Sequence, residues 1–244
     1  MKLSTKEFGK GNTRGDVVLI HGTGAKAEMW TPQINILVES GFYCIVPDLR
    51  GHGESAEPGE KTDINSHLTD LLETLADYDI KYPATFIGHS LGSIISLELS
   101  VKRPDMVAKI LAVSTPGKVP QLTVSAFKVF LGAPFHAIKD TPIHRSLGWR
   151  ERVLLDTNHY SLSQVVENFH DMDFVSNLPK ASCPVHFAVG RLDPVALCMH
   201  TEQMHKSLPG STIKVIEWAA HNCMDSRPSE FNRWFKEKMD ISNN

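Results

Sequence analysis

Six short runs of apolar and β-branched residues punctuate this chain of 244 residues, at 17–20, 43–46, 85–87, 110–113, 185–189 and 213–216. Runs so short and so little interrupted by polar side chains suit strands buried on both faces, which occur in parallel sheets covered by helices. Between them apolar residues recur at helical spacing, over 30–39, 65–78, 91–102, 195–207 and 229–239. Strand and helix alternate, so the chain is predicted to form an α/β fold with a mostly parallel central sheet and helices on both faces. Residues 2–8 predict an antiparallel edge strand, turned by the Gly-rich stretch 11–15.

The alternation breaks between Pro116 and Pro179, where no strand-like run of similar strength occurs and helical spacing returns at 124–131, 150–155 and 162–169. An insertion covering the sheet is expected there. Leu122, Phe127, Phe130, Phe135, Leu147, Trp149 and Phe169 would give it an apolar underside or a small satellite core. A chain of this length fills one core and is short for two. One domain, 1–244, is therefore expected, with its core in 1–115 and 180–244.

Twenty-five basic and 28 acidic side chains give a formal net charge of −3, and no stretch gathers Lys and Arg on one face, which argues against a nucleic-acid partner. No window approaches the ~20 apolar residues of a membrane span, and the start carries scattered charges in place of a leader, so a soluble cytoplasmic protein without membrane association is expected. Cys44, Cys183, Cys198 and Cys223 show no paired spacing; they read as free thiols, with neither a zinc site nor a disulfide framework. Cys223 stands two residues from His221, so a nucleophilic role is weighed against plain packing.

The chemistry gathers where strands end. Gly88-His89-Ser90-Leu91-Gly92 lies at a predicted strand-to-helix junction, the context in which a sharp turn lifts a serine hydroxyl clear of the sheet. The two glycines leave room that side chains would fill. A serine hydroxyl is a weak nucleophile at neutral pH and needs a base within hydrogen-bond reach, itself oriented by a carboxylate. Asp193 follows the run 185–189 and His221 follows 213–216, so both fall at the same sheet edge as Ser90. The rival acids fit less well: Asp48 opens a Gly-rich turn, and Ser114-Thr115-Pro116, after the strand that follows the nucleophile, contains no acid. His21, His52 and His89 read as structural. Acyl transfer also builds negative charge on the carbonyl oxygen, to be met by backbone N–H groups of Leu91 and, from the loop His21-Gly22-Thr23-Gly24, of Thr23.

On these residues, together with Asp48-Leu49-Arg50-Gly51-His52-Gly53-Glu54-Ser55, the chain resembles the α/β-hydrolase superfamily over nearly its whole length, and in particular its branch of serine esterases and haloperoxidase-like enzymes. The resemblance implies the α/β-hydrolase fold, a Ser90-Asp193-His221 triad, a helical cap over 116–179 and no cofactor or metal. The expected reaction is hydrolysis of a small-molecule carboxylic ester with a hydrophobic acyl or alcohol group. Thioester hydrolysis, acyl transfer, perhydrolysis, carbon–carbon cleavage or a lyase reaction could use the same scaffold, as could a ligand-binding receptor that keeps its triad.

Overall fold

The computed structural model describes residues 1–58, 62–119, 121–130, 137–168 and 173–242. Every apolar run named above forms a strand: β2 (Gly15–Ile20), β3 (Phe42–Pro47), β4 (Ala84–His89), β5 (Val107–Val113), β6 (Val185–Gly190) and β7 (Thr212–Ile216). The expected edge strand is β1 (Thr5–Phe8). They join in one sheet of order β1-β3-β2-β4-β5-β6-β7, parallel throughout except that β1 runs antiparallel to β3.

The period of two along each strand sorts the core into two layers. Val18, Ile20 and Phe86 face one way, into a layer shared with Leu68, Leu71 and Leu75 of α2 (Ile64–Leu75) and Ile94 and Leu97 of α3 (Leu91–Lys102). Val17, Leu19 and Ile87 face the other way. There they meet Ile34 and Leu37 of α1 (Thr31–Glu39) and Phe231 and Phe235 of a C-terminal helix, Pro228–Lys238. Both faces of the sheet are thus covered, which is why its strands read as apolar runs with few interruptions.

The sheet order also locates a crevice. The chain passes from β2 outward to β3, then crosses back over β2 to β4. The connections leaving β2 and β4 therefore depart to opposite faces, and the gap between them at the carboxyl ends of the strands is where ligands bind in open α/β sheets. The loop 21–24 and Ser90 occupy that gap.

Between β5 and β6 lie α4 (Gln121–Phe130), α5 (Pro142–Ser146), α6 (Trp149–Asp156) and α7 (His159–Asn168). The apolar underside expected of this segment differs from the one found. Leu122 is 82% exposed and Trp149 is also exposed, whereas Val124, Val153, Leu155 and Leu162 are buried. Leu147 is half-buried. Phe135 and Phe169, and the side chains of Phe127 and Phe130, lie outside the described residues. The segment packs on the loops at the carboxyl ends of the strands. Leu154 and Leu162 lie against Gly24, Thr123 Oγ1 donates to Pro194 O at 3.3 Å, and Arg150 pairs with Asp225.

After β6, the described residues form α8 (Cys198–Ser207), the short α9 (Cys223–Ser226) and the C-terminal α10 (Pro228–Lys238). The spacing predicted a start for α8 at 195. Asp193 Oδ1 instead accepts the N–H groups of Val195 and Ala196, at 2.9 and 2.8 Å, which holds them in a turn. Among the described residues, no helix is long and apolar enough to cross a membrane.

Candidate active site

Ser90 joins the end of β4 to the start of α3 with a positive φ, φ 50° and ψ −114°. Such a residue is strained unless its surroundings fix it. Here the Ser90 N–H continues the ladder onto Val113 O at 2.8 Å, and the residue is only 3% exposed. A Cβ on Gly88 would overlap the Gly92 carbonyl, and one on Gly92 would overlap the carbonyl of Ile20. Both glycines of the elbow are therefore dictated by contact: α3 starts directly against β2 and the end of β4.

Asp193 and His221 are brought into direct contact. His221 Nδ1 lies 2.9 Å from Asp193 Oδ2 and 3.0 Å from Oδ1, and the carboxylate is fully buried. The two N–H groups bound to Oδ1 hold the carboxylate in place and so aim it at His221. With Nδ1 turned to a carboxylate, Nε2 is the nitrogen left to take a proton. The ring of His89, the residue before Ser90, lies 4.8 Å from that of His221, tilted by 58°. Among the described residues, Ser90 Oγ itself makes no hydrogen bond. A looser nucleophile contact is common before substrate binds.

The loop 21–24 lies against the elbow, because a Cβ on Gly22 would stand 3.1 Å from Ser90 Cβ and 2.6 Å from His89 Nδ1. Its shape is set by two histidines that pin it to the loop after β3. His52 Nε2 accepts from Gly24 N at 3.0 Å, and His21 Nε2 accepts from Leu49 N at 2.8 Å. A nitrogen that accepts from a backbone N–H carries no proton, so Nδ1 must donate: His21 to Gly22 O at 2.7 Å and His52 to Arg50 O at 2.9 Å. Both rings are neutral. Burial pushes His21 down to about 4 and His52 to about 3. With the Gly24 N–H committed to His52, Thr23 is the residue of this loop next in line to offer its amide, and Leu91 offers the first N–H of α3.

The rival groups have other partners. Asp48 Oδ1 accepts from Ala27 N at 2.7 Å and Oδ2 from Glu54 N at 2.9 Å, and its nearest imidazole is that of His21, at 4.0 Å. It builds the turn and stands apart from His221. Burial pushes the Cys223 thiol up to about 12, which removes it as a nucleophile. His89 donates from Nε2 to the main-chain carbonyl of His221 at 3.1 Å, and burial holds it well below the ordinary histidine range. Sequence reasoning passed over Ser114 because it is not an acid, yet its hydroxyl donates to the same carbonyl at 2.8 Å. The signal was there in its position, directly after β5 as Ser90 is directly after β4. Among the described residues, no three His, Cys, Asp or Glu side chains group so as to hold a metal ion.

The chain is similar to known proteins over most of its length. A hydrolase of Acinetobacter baylyi acting on (E)-2-((N-methylformamido)methylene)succinate is 26% identical over 233 residues, covering 89% of this chain and 87% of that protein. Among solved structures, a bromoperoxidase from Bacillus anthracis superposes with a TM-score of 0.83 at 20% identity, covering 97% of this chain and 94% of the other. The enol-lactonase from Burkholderia xenovorans LB400 superposes with a TM-score of 0.82 at 20% identity, covering 98% and 96%. The strained serine at the switch point and the parallel sheet beneath it lie within the segment, residues 17–234, that matches the model of the alpha/beta hydrolase family, and the chain belongs to that family.

Proposed function

We propose that the protein hydrolyses a small-molecule carboxylic ester with a hydrophobic acyl or alcohol group, through an acyl-enzyme on Ser90. The observation that carries this reading is the buried Asp193 bound to His221 Nδ1 at the same sheet edge as the strained Ser90. His221 Nε2 takes the Ser90 proton as Oγ attacks the carbonyl carbon, and the oxyanion is met by the N–H groups of Thr23 and Leu91. The alkoxide leaves with the proton from His221. Water then attacks the acyl-enzyme with His221 again as base, releasing the acid and restoring Ser90.

The hydrophobic preference is supported by Leu154 and Leu162, which lie over Gly24 of the oxyanion loop. We take 116–179 as a cap on a single domain, since its contacts fall on the loops carrying Thr23, Asp193 and His221. Hydrolytic chemistry is what the Acinetobacter relative's name also describes. Four free thiols favour the reducing cytoplasm, and a net charge of −3 favours neither nucleic acid nor an anionic membrane surface.

The test is reaction with a fluorophosphonate probe, read by mass spectrometry, beside turnover of p-nitrophenyl butyrate. Wild type should be labelled at Ser90. Ser90→Ala should lose both label and turnover, and Asp193→Asn should lower kcat by about 10⁴ through the wrong His221 tautomer. A folded wild type that is neither labelled nor active would overturn the reading. Equal kcat/KM on p-nitrophenyl acetate and octanoate would remove the hydrophobic preference alone.

A further inference from the structure

His221 sits on the loop after β7, a strand of five residues at the edge of the sheet, and its side chain is 22% exposed. Asp193 fixes one nitrogen of the ring. It does not fix the backbone from which the ring hangs, and a misplacement of about 1 Å costs on the order of 10²-fold in rate. The groups that hold this backbone come from the nucleophile's side of the site.

The main-chain carbonyl of His221 accepts from Ser114 Oγ at 2.8 Å and from His89 Nε2 at 3.1 Å. A carbonyl oxygen has two lone pairs, and both are engaged. One donor belongs to the residue directly before Ser90. The other repeats the geometry of Ser90 one strand over: Ser114 follows β5 with φ 49°, as Ser90 follows β4 with φ 50°. Each continues its ladder for one more bond, Ser90 N–H to Val113 O and Ser114 N–H to Ala188 O, both 2.8 Å. The left-handed exit disfavours side chains. A serine at this exit, fully buried, has a reason in the hydroxyl it aims at His221.

We infer that Ser114 and His89 are positioning residues of the base, which together clamp the His221 carbonyl to the β4–β5 pair carrying Ser90. The reach from His221 to Ser90 is then set by the sheet and not by the loop. This inference rests on the proposed roles of Ser90 and His221.

The test compares Ser114→Ala, His89→Leu, the double variant and His89→Gln, which keeps an N–H donor. The readouts are the rate of Ser90 labelling by fluorophosphonate, kcat and KM on p-nitrophenyl butyrate, and Tm. Each single removal should lower kcat and labelling about tenfold with KM nearly unchanged, since one donor still holds the carbonyl. The double variant should lose about 10³-fold, more than the product of the singles, and His89→Gln should recover activity relative to His89→Leu. Wild type labelled at Ser90 with the double variant labelled equally fast would overturn the inference and leave the hydrolase reading standing. Losses in kcat that merely track Tm would overturn it too. An unlabelled wild type would overturn both. If His89→Leu does not fold, Ser114→Ala decides alone: a kcat within twofold of wild type refutes the clamp.

Discussion

Lowering the pH from 7.5 to 5.5 should strip this protein of much of its stability. Four histidines are buried neutral: His21, His52, His67 and His89. Burial pushes His21 to about 4 and both His52 and His67 to about 3, and it holds His89 well below its ordinary value. Below about pH 6.5 the unfolded chain protonates these rings and the folded protein does not, so unfolding takes up protons. Their stabilising contribution is complete above that pH and is lost as pH falls towards the folded values. At pH 5.5 each ring should cost RT ln(1 + 10), about 1.4 kcal/mol, and four together about 5–6 kcal/mol, against a total of about 5–15 for a domain. Urea unfolding followed by tryptophan fluorescence at pH 7.5, 6.5 and 5.5 measures this directly. His67 supplies an internal control: neither of its ring nitrogens has a hydrogen-bond partner among the described residues. His67→Leu should raise stability by about 1–3 kcal/mol and remove one proton from the pH slope. A stability at pH 5.5 within about 1 kcal/mol of that at 7.5 would refute the reasoning.

Two further substitutions separate scaffold from chemistry. Asp48→Ala leaves the buried N–H of Ala27 and the part-buried N–H of Glu54 without their acceptor, which should cost about 2–4 kcal/mol and lower Tm by about 5–15 °C. Ser90 should still be labelled in the folded variant at low temperature, and loss of labelling there would make Asp48 the acid. Gly92→Ala drives a methyl into the Ile20 carbonyl and should cost at least about 1–3 kcal/mol, seen as a drop in Tm. An unchanged Tm would show that α3 does not start where it is described.

The strands were legible because burial on both faces leaves little that is polar in them, Lys109, His186 and Lys214 being among the exceptions. The meeting of Asp193 and His221 was legible because parallel strands deliver their following residues to one edge. Other features depend on contacts that no local pattern encodes. The roles of His21 and His52 arise only when two loops, separated by β3 and its helix, exchange hydrogen bonds. Helical spacing announced α4 but not which side of it would meet the protein, so Leu122 was expected inside and lies outside. α8 starts at Cys198 and not at 195, after a turn in which Val195 and Ala196 donate to the Asp193 carboxylate, a local bond that hydrophobic spacing does not register. Ser114 looked like any serine in a turn; its φ and its reach to His221 belong to the folded sheet.

The two histidine pins also bear on how such a protein can diversify. Each ring ties one loop to the other from beneath, so neither loop can change length or course without unmaking its partner. The segment between β5 and β6 is under no such obligation. It meets the loops of the site through side chains, Leu154 and Leu162 on Gly24, Ser161 on Gly51, Thr123 on Pro194 and Arg150 on Asp225. With that segment as the proposed cap, remodelling it is expected to change which molecules are admitted and to leave the proposed machinery in place, so that the selection of guests and the handling of them would be written in separate parts of the chain.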